Sequence, residues 1–346
     1  MASESKMRWG IMGCARISRR GLIPGIQGSQ TSQLAAIASR DRAAAQAWAH
    51  EFHIPRSYGS YEELLADTAI DAVYIPLPNE LHERWTIAAA ESGKHVLCEK
   101  PLARTVAEAE RMKKACRSRG VLLMEAFMWR FQPRVEAIRK LIDSGAIGET
   151  RLIRTSFSFP IDTGDWRLDP ARGGGALFDV GCYGVSAARL FANAEPVHVQ
   201  AFARRGESGV DLTLVAQLAF PSGIIGVLDC GFEEPFRCSI EIVGTDGVVE
   251  IPRAFLPSET PTAIVRDRGV DVERLVREAG ASNEKKAEKP AVESERTLAF
   301  DGYNQYAAMV DAFARSVRLG KLESPAEDGL EQMRTIETLL NTAYYL

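Results

Sequence analysis

Trp9-Gly10-Ile11-Met12-Gly13-Cys14-Ala15-Arg16-Ile17-Ser18 is a short apolar run that ends in a glycine turn, and its reading decides the fold. The first four residues have the length and composition of a buried parallel strand. The turn has the spacing of G-x-G-x-x-G, with Gly13, Ala15 and Ser18 in the three glycine places. Such a turn brings backbone amides close to a pyrophosphate and delivers it to the unpaired N–H groups at a helix start. Alanine is the smallest side chain that can stand in for the second glycine. Gly13, Cys14, Ala15, Arg16 and Ile17 are therefore expected to hold a dinucleotide.

Working outward, the second apolar run, Leu34 to Ala38, ends in Ser39-Arg40. At this distance from the turn an acidic residue would grip the ribose hydroxyls of NAD. An arginine fork and a hydroxyl suit a 2′-phosphate instead, so NADP is favoured over NAD. Asp41 follows and keeps NAD open, since a small shift of the turn would bring its carboxylate to the ribose.

Further runs at Ala72 to Ile75, His95 to Cys98 and Val121 to Met124 alternate with helical patterns over Asp41 to Phe52, Tyr61 to Ala66, His82 to Ser92 and Thr105 to Arg119. Short apolar strands separated by helices make a doubly wound parallel sheet covered on both faces. Residues 1–126 are assigned to this nucleotide-binding domain. After a helix near Arg134 to Ser144, strand patterns crowd together at Arg151 to Phe159, Val197 to Arg204, Asp211 to Phe220, Ile224 to Phe232, Phe236 to Val243 and Val248 to Ile251. Turns such as Pro221-Ser222-Gly223 join them, which predicts a mainly antiparallel open sheet. A helix from about Gly175 to Phe191 and two more near Tyr303 to Leu319 and Glu327 to Tyr344 complete an α+β second domain, 127–346. The closing helices are placed so that they can return to the first domain. Glu278 to Arg296, charged and without apolar period, reads as a mobile loop.

A chain of 346 residues needs two cores. Its 42 basic and 46 acidic residues leave a net charge of −4, which makes no polycationic face for nucleic acid or an anionic membrane. No leader or membrane span is evident, so a cytoplasmic protein is expected. Six scattered cysteines without a C-x-x-C pair suit buried thiols, and five unclustered histidines argue against a metal.

Glu99-Lys100-Pro101 closes the run ending at Cys98. Ligands gather outside the carboxyl ends of parallel strands, so Lys100 faces the crevice. Pro76, Leu77, Asn79 and His82, after the strand ending at Ile75, share that position beside the nicotinamide ribose, as does Glu99. Trp129, Arg130, Trp166 and Arg167 are planar or cationic groups of the kind that stack on sugar rings and bond hydroxyls, and Arg172 resembles them. Each of these is equally suited to joining the domains.

Gly13-Cys14-Ala15, Ser39-Arg40, Pro78-Asn79-Glu80-Leu81-His82, Glu99-Lys100-Pro101 and the run Gly173 to Tyr183, in this order, resemble the Gfo/Idh/MocA oxidoreductases over nearly the whole chain. Met124 to Pro133 and Tyr183 are most similar to the branch of NADP-dependent D-xylose dehydrogenases, dimeric dihydrodiol dehydrogenases and glucose-fructose oxidoreductase. The inositol dehydrogenase branch would carry histidine where Tyr183 stands. The resemblance implies that Lys100 and Tyr183 meet over the nicotinamide, with Asp179 close by. Tyr183 would then be the acid/base, Lys100 the charge that orients the substrate oxygen and lowers the phenol's pKa, and Asp179 a support for both and for substrate. It also implies a sugar, polyol or dihydrodiol substrate and a homodimer or homotetramer built through the second sheet. Two alternatives stay open: a 3-ketoreductase for nucleotide-linked keto sugars, and a sensor or repressor that has lost catalysis.

Overall fold

The computed structural model describes residues 5–267, 295–324 and 327–346. Six parallel strands form the first sheet: β1 (Met7–Met12), β2 (Ser32–Ala38), β3 (Arg56–Tyr58), β4 (Ala72–Ile75), β5 (His95–Cys98) and β6 (Leu123–Glu125). Their order is β3-β2-β1-β4-β5-β6, so the chain reverses direction of winding between β1 and β4. A crevice opens at that switch point beyond the strand ends. Helices α1 (Ile23–Gly28), α2 (Arg42–Glu51), α3 (Tyr61–Ala66), α4 (His82–Glu91) and α5 (Val106–Ser118) cover the faces. Asp41, Ser60 and Thr105 cap α2, α3 and α5 with their side chains, whereas α4 follows Leu81 and a single 3₁₀ turn without a side-chain cap.

The last strand begins later than the pattern suggested. The Val121 N–H bonds back to Cys116 O to close α5; Leu122 O then accepts the Val96 N–H, and the register with β5 runs from Leu123. Strand β3 had no sequence signal, because Arg56-Ser57-Tyr58 is a short edge without an apolar run.

Among the described residues the second sheet has nine strands: β7 (Thr150–Ser158), β8 (His198–Arg205), β9 (Asp211–Ala219), β10 (Ile225–Gly231), β11 (Arg237–Gly244), β12 (Gly247–Pro252), β13 (Thr262–Asp267), β14 (Glu295–Ala299) and β15 (Tyr344–Tyr345). The order is β14-β13-β12-β11-β7-β10-β9-β8-β15. It is antiparallel as expected, except where β10 runs parallel to β7 and β15 parallel to β8. Of the stretch Glu278 to Arg296 read as a loop, all but its last two residues lie outside the described ones; Glu295 and Arg296 open β14 and pair with Arg266 and Val265.

Helix α6 (Pro133–Asp143) follows the first domain, and α7 (Cys182–Ala192) lies on the inner face of the second sheet, buried along its whole length. Helices α8 (Gln305–Leu319) and α9 (Leu330–Thr342) come back to the first domain. Phe313 of α8 packs on Trp9 with ring centroids 5.4 Å apart, and Asp311 Oδ1 accepts the hydroxyls of Ser29 and Thr31, both at 2.5 Å. The chain's end thus buttresses the strand and helix that flank the glycine turn. Among the described residues no helix is long and apolar enough to cross a membrane, and no cluster of ligands could hold a metal.

Candidate active site

The glycine turn has the conformation its spacing requires. Gly13 has φ +109°, a region that L side chains rarely enter, and a Cβ there would lie 3.0 Å from Leu77 Cδ2. Helical geometry begins at Arg16 and passes through a π-helical turn, Ser18–Leu22, into α1. The start is closed by Ser18 N–H to Ala15 O at 3.0 Å, and the amides just before it are those a helix start leaves without intrahelical acceptors. A cradle that a side chain would fill, leading to a helix start, fits a dinucleotide pyrophosphate.

At the end of β2 the alternative carboxylate is already engaged. Asp41 Oδ1 accepts the N–H groups of Ala43 at 2.9 Å and Ala44 at 3.2 Å, which ties it to the start of α2. Arg40 is exposed beside the hydroxyl of Tyr61, and the Ser39 hydroxyl lies near Cys14 and accepts the Asp41 N–H at 3.1 Å. The end of the strand presents a guanidinium and a hydroxyl.

A cleft of about 240 Å³ opens between the domains, lined from the first domain by Ile17, Pro76, Leu77, Asn79, Glu99 and Lys100. The second domain contributes Trp166, Arg167, Asp179 and Tyr183 with an apolar wall that includes Met128, Phe157, Phe159, Val180 and Leu256. The Lys100 ammonium donates to the backbone oxygen of Asp179 at 2.8 Å and to its Oδ1 at 3.1 Å. It also sits over the Tyr183 ring, 5.0 Å from the centroid. Arg167 Nε donates to the other oxygen, Asp179 Oδ2, at 2.7 Å, and Arg167 is itself braced by Asp165. The carboxylate of Asp179 thus lies between two cations, one from each domain.

Burial alone would push the Asp179 carboxyl up, but Lys100 and then Arg167 outweigh it and hold its pKa below the usual value. For Lys100 burial works against the ammonium, and the Asp179 charge overcomes it, raising the pKa. Both groups are charged across the neutral range. Burial pushes the Tyr183 phenol well above the ordinary tyrosine value, with Tyr306 and Glu99 adding to the rise. This corrects the expected electrostatics: Lys100 faces the ring and Asp179, and the phenol is kept neutral. Glu99, also raised by burial, accepts the Tyr74 hydroxyl.

Three expected site residues lie elsewhere. Trp129 is fully buried between Phe191 and Phe255, and Arg130 is buried against Glu327 in a cluster shared with Arg189. Both serve the core, because the 3₁₀ turn that carries them, Met128–Phe131, points only Met128 at the cleft. His82 is fully buried, and its ring nitrogens lie 2.8–3.2 Å from the carbonyls of Leu77, Pro101 and Leu102. It ties together the two loops that carry Leu77 and Lys100, and burial lowers its pKa. Arg172 pairs with Glu80 at 3.3 Å and stacks on Trp166, a contact between the domains. Asn79 lines the cleft and also donates to Gly173 O across it at 2.9 Å.

Tyr306 was not anticipated. It reaches the cleft from α8, and its ring rests on the α1 region so closely that a Cβ on Gly21 would meet Tyr306 Cζ at 2.5 Å. Nothing local in the sequence marks it, since its place is set by the return of α8. The wall residues Phe157 and Phe159 do carry a signal, for they sit two apart where β7 ends, Phe157 within the strand and packed on Tyr183 of α7, Phe159 one residue beyond the strand.

Residues 7–127 match the oxidoreductase family with an NAD-binding Rossmann fold, and residues 135–250 match the GFO/IDH/MocA C-terminal domain. The chain is 39% identical over 342 residues to a D-xylose 1-dehydrogenase (NADP(+)) of Haloferax volcanii, covering 97% of each. It is 34% identical to the mouse trans-1,2-dihydrobenzene-1,2-diol dehydrogenase, over 73% of this chain and 77% of that one. Its backbone superposes on the crystal structure of a 3-ketoreductase from Actinomadura kijaniata in complex with NADP and TDP-benzene with a TM-score of 0.85, at 31% identity and 99% coverage of each chain. The switch-point crevice, the lysine that crosses it and the two matched domains place this protein in the Gfo/Idh/MocA family of oxidoreductases.

Proposed function

We propose that the protein moves hydride between NADP and a hydroxyl or carbonyl carbon of a sugar or polyol, an aldose such as D-xylose or glucose or a dihydrodiol. The observation that carries this is the meeting of Lys100, Asp179 and Tyr183 in one interdomain cleft directly beside the residues that line the switch point. NADP, when bound, supplies the hydride acceptor or donor. Arg40 and Ser39, with Asp41 committed to α2, support the 2′-phosphate and so NADP over NAD.

The chain's own residues handle the proton. In the oxidative direction Tyr183 acts as its phenolate and takes the substrate hydroxyl proton as the carbon loses hydride; in the reverse direction the neutral phenol gives that proton to the carbonyl oxygen. The neutral phenol that burial favours is the competent form for that return. Lys100 holds positive charge where the substrate oxygen becomes an alkoxide, in a site with little water to screen it. Asp179 anchors the ammonium and, with Trp166 and Arg167, forms the wall on which sugar hydroxyls bond. The cationic groups near the mouth, Arg167 and Arg172, are paired with Asp179, Asp165 and Glu80, which supports a neutral sugar over a nucleotide diphosphate.

The test is a nicotinamide absorbance assay with NADP and NAD across aldoses, inositols and a dihydrodiol. Turnover of one sugar that is lost in both Lys100→Met and Tyr183→Phe bears the reading out, and cofactor binding without turnover overturns it. Exposed Phe202, Val215 and Ile225 on the outer face of the second sheet support a homodimer or homotetramer through that face, which light scattering would measure. Six free cysteines support the reducing cytoplasm.

A further inference from the structure

Asp211 is ionisable, buried and not among the residues that line the cleft, yet it lies beneath the helix that bears Asp179 and Tyr183. It opens β9 and is 4% exposed. Its Oδ2 accepts the Leu177 N–H at 2.6 Å, and the N–H groups of Ala176 and of Asp211 itself lie close enough to favour the ionised carboxylate. Leu177 starts the π-helical turn Leu177–Gly181 that runs directly into α7.

The first N–H groups of a helix need acceptors, which the residue just before the helix normally provides. Here that position follows Gly173-Gly174-Gly175, which have no side chain to offer. Gly175 has φ +123°, and a Cβ on it would lie 2.2 Å from Asp211 Oδ1. Its bare backbone admits the carboxylate from the neighbouring strand, and its own oxygen accepts the Asp179 N–H at 3.1 Å.

We propose that Asp211 is a positioning residue for the reaction: its carboxylate, supplied by the sheet, caps the helix that carries Asp179 and Tyr183 and so sets both against Lys100. This rests on the assignment of Tyr183 and Asp179 to the reacting site. Burial pushes the Asp211 carboxyl up to about 7, against the pull of the helix N–H groups and of Arg205. Arg205 is its cross-strand neighbour on β8, and the Cys230 thiol of β10 also interacts with it. Protonation turns one acceptor oxygen into a donor facing N–H groups, so the ionised form is the better cap. Activity therefore falls as pH drops through about 7.

Asp211→Asn and Gly175→Ala are compared with the parent by the pH dependence of kcat and KM and, independently of turnover, by hydrogen exchange over residues 176–183. At alkaline pH, loss of the cap is expected to lower kcat about fivefold, leave KM within about twofold and speed exchange about fivefold. The acid limb near neutrality disappears in Asp211→Asn. A limb that persists, or unchanged exchange at 176–183, overturns the proposal even if Tm falls. If neither variant folds, protection of 176–183 in the parent is followed across neutrality; protection that does not rise with pH, after correction for intrinsic rates, is equally fatal. A parent that turns over no sugar sinks the functional reading, while the exchange arm still decides whether the cap exists.

Discussion

Lys100→Met removes a cation that the structure ties to the opposite domain by two bonds, 2.8 Å to Asp179 O and 3.1 Å to Asp179 Oδ1. Both side chains are little exposed, 14% and 11%, so solvent screens the pair weakly. A charge-assisted hydrogen bond contributes about 1.5–3 kcal/mol. Asp179 keeps Arg167 at 2.7 Å, so the carboxylate is not left alone and the stability cost stays at about 2–3 kcal/mol, below that of a fully orphaned buried charge. The catalytic cost is larger. Loss of one preorganised donor at a developing oxyanion lowers kcat by about 10²–10³, equivalent to about 3–4 kcal/mol. Steady-state turnover at saturating substrate gives kcat, and thermal melts give the stability. A variant that melts lower as expected but retains kcat within about threefold would show a structural ion pair only, and refute the reasoning.

The pH dependence of that stability follows from the direction of each shift. Asp179 is held below its usual value, so its contribution is present above the unfolded value and lost as acid protonates it. Lys100 lies above its usual value, so its contribution is complete below the unfolded value and lost only when the folded ammonium deprotonates. The gap in Tm between parent and Lys100→Met should therefore hold from about pH 5 to 9 and shrink at both extremes.

Tyr183→Phe should lower kcat about 10²–10⁴-fold while leaving Tm nearly unchanged, because among the described residues its hydroxyl makes a weak bond to Met128 Sδ at 3.7 Å. In an ultraviolet titration of the cofactor-free protein, parent and Tyr183→Phe should show the same phenolate absorbance up to about pH 10, since burial keeps Tyr183 neutral there; a difference below that refutes the shift. Gly21→Ala places a methyl 2.5 Å from Tyr306 Cζ and should cost about 1–3 kcal/mol of stability in the parent but little when made in a Tyr306→Ala background, as denaturant melts of the double-mutant cycle would measure. Arg40→Ala should raise KM for NADP about tenfold and leave KM for NAD unchanged, and equal effects on both would remove the 2′-phosphate assignment.

The two halves of the site are joined by backbone as much as by side chains. Asn79 bonds Gly173 O, Lys100 bonds Asp179 O, and Glu125, at the end of β6, accepts the Leu102 N–H at 2.8 Å just beyond Lys100-Pro101. The lysine loop is thus held from both sides, so the ammonium and the Tyr183 ring are set before any substrate arrives.

Strand one, its glycine turn and the spaced βα units were legible because each depends on neighbours in sequence. Gly13 needs its φ for the turn it makes, and apolar runs of strand length between helices permit little except a parallel sheet. The glycine run before Asp179 and Tyr183 and the lysine at the end of β5 were likewise visible as motifs, with their chemistry attached through resemblance. What the chain could not disclose is long-range. Trp129 and Arg130 have the chemistry of sugar-binding groups, yet a 3₁₀ turn and the partners Phe255 and Glu327, far along the chain, turn them into the core. Asp41 could have served a ribose until the start of α2 claimed it. Tyr306 enters the cleft and Asp211 reaches its helix only because α8 and β9 pack where they do. Local pattern settles which elements form, since hydrogen bonding and burial within a segment are local. Which side chains meet, and whether burial leaves a phenol neutral or a carboxylate charged, is decided by packing between segments that are distant in sequence.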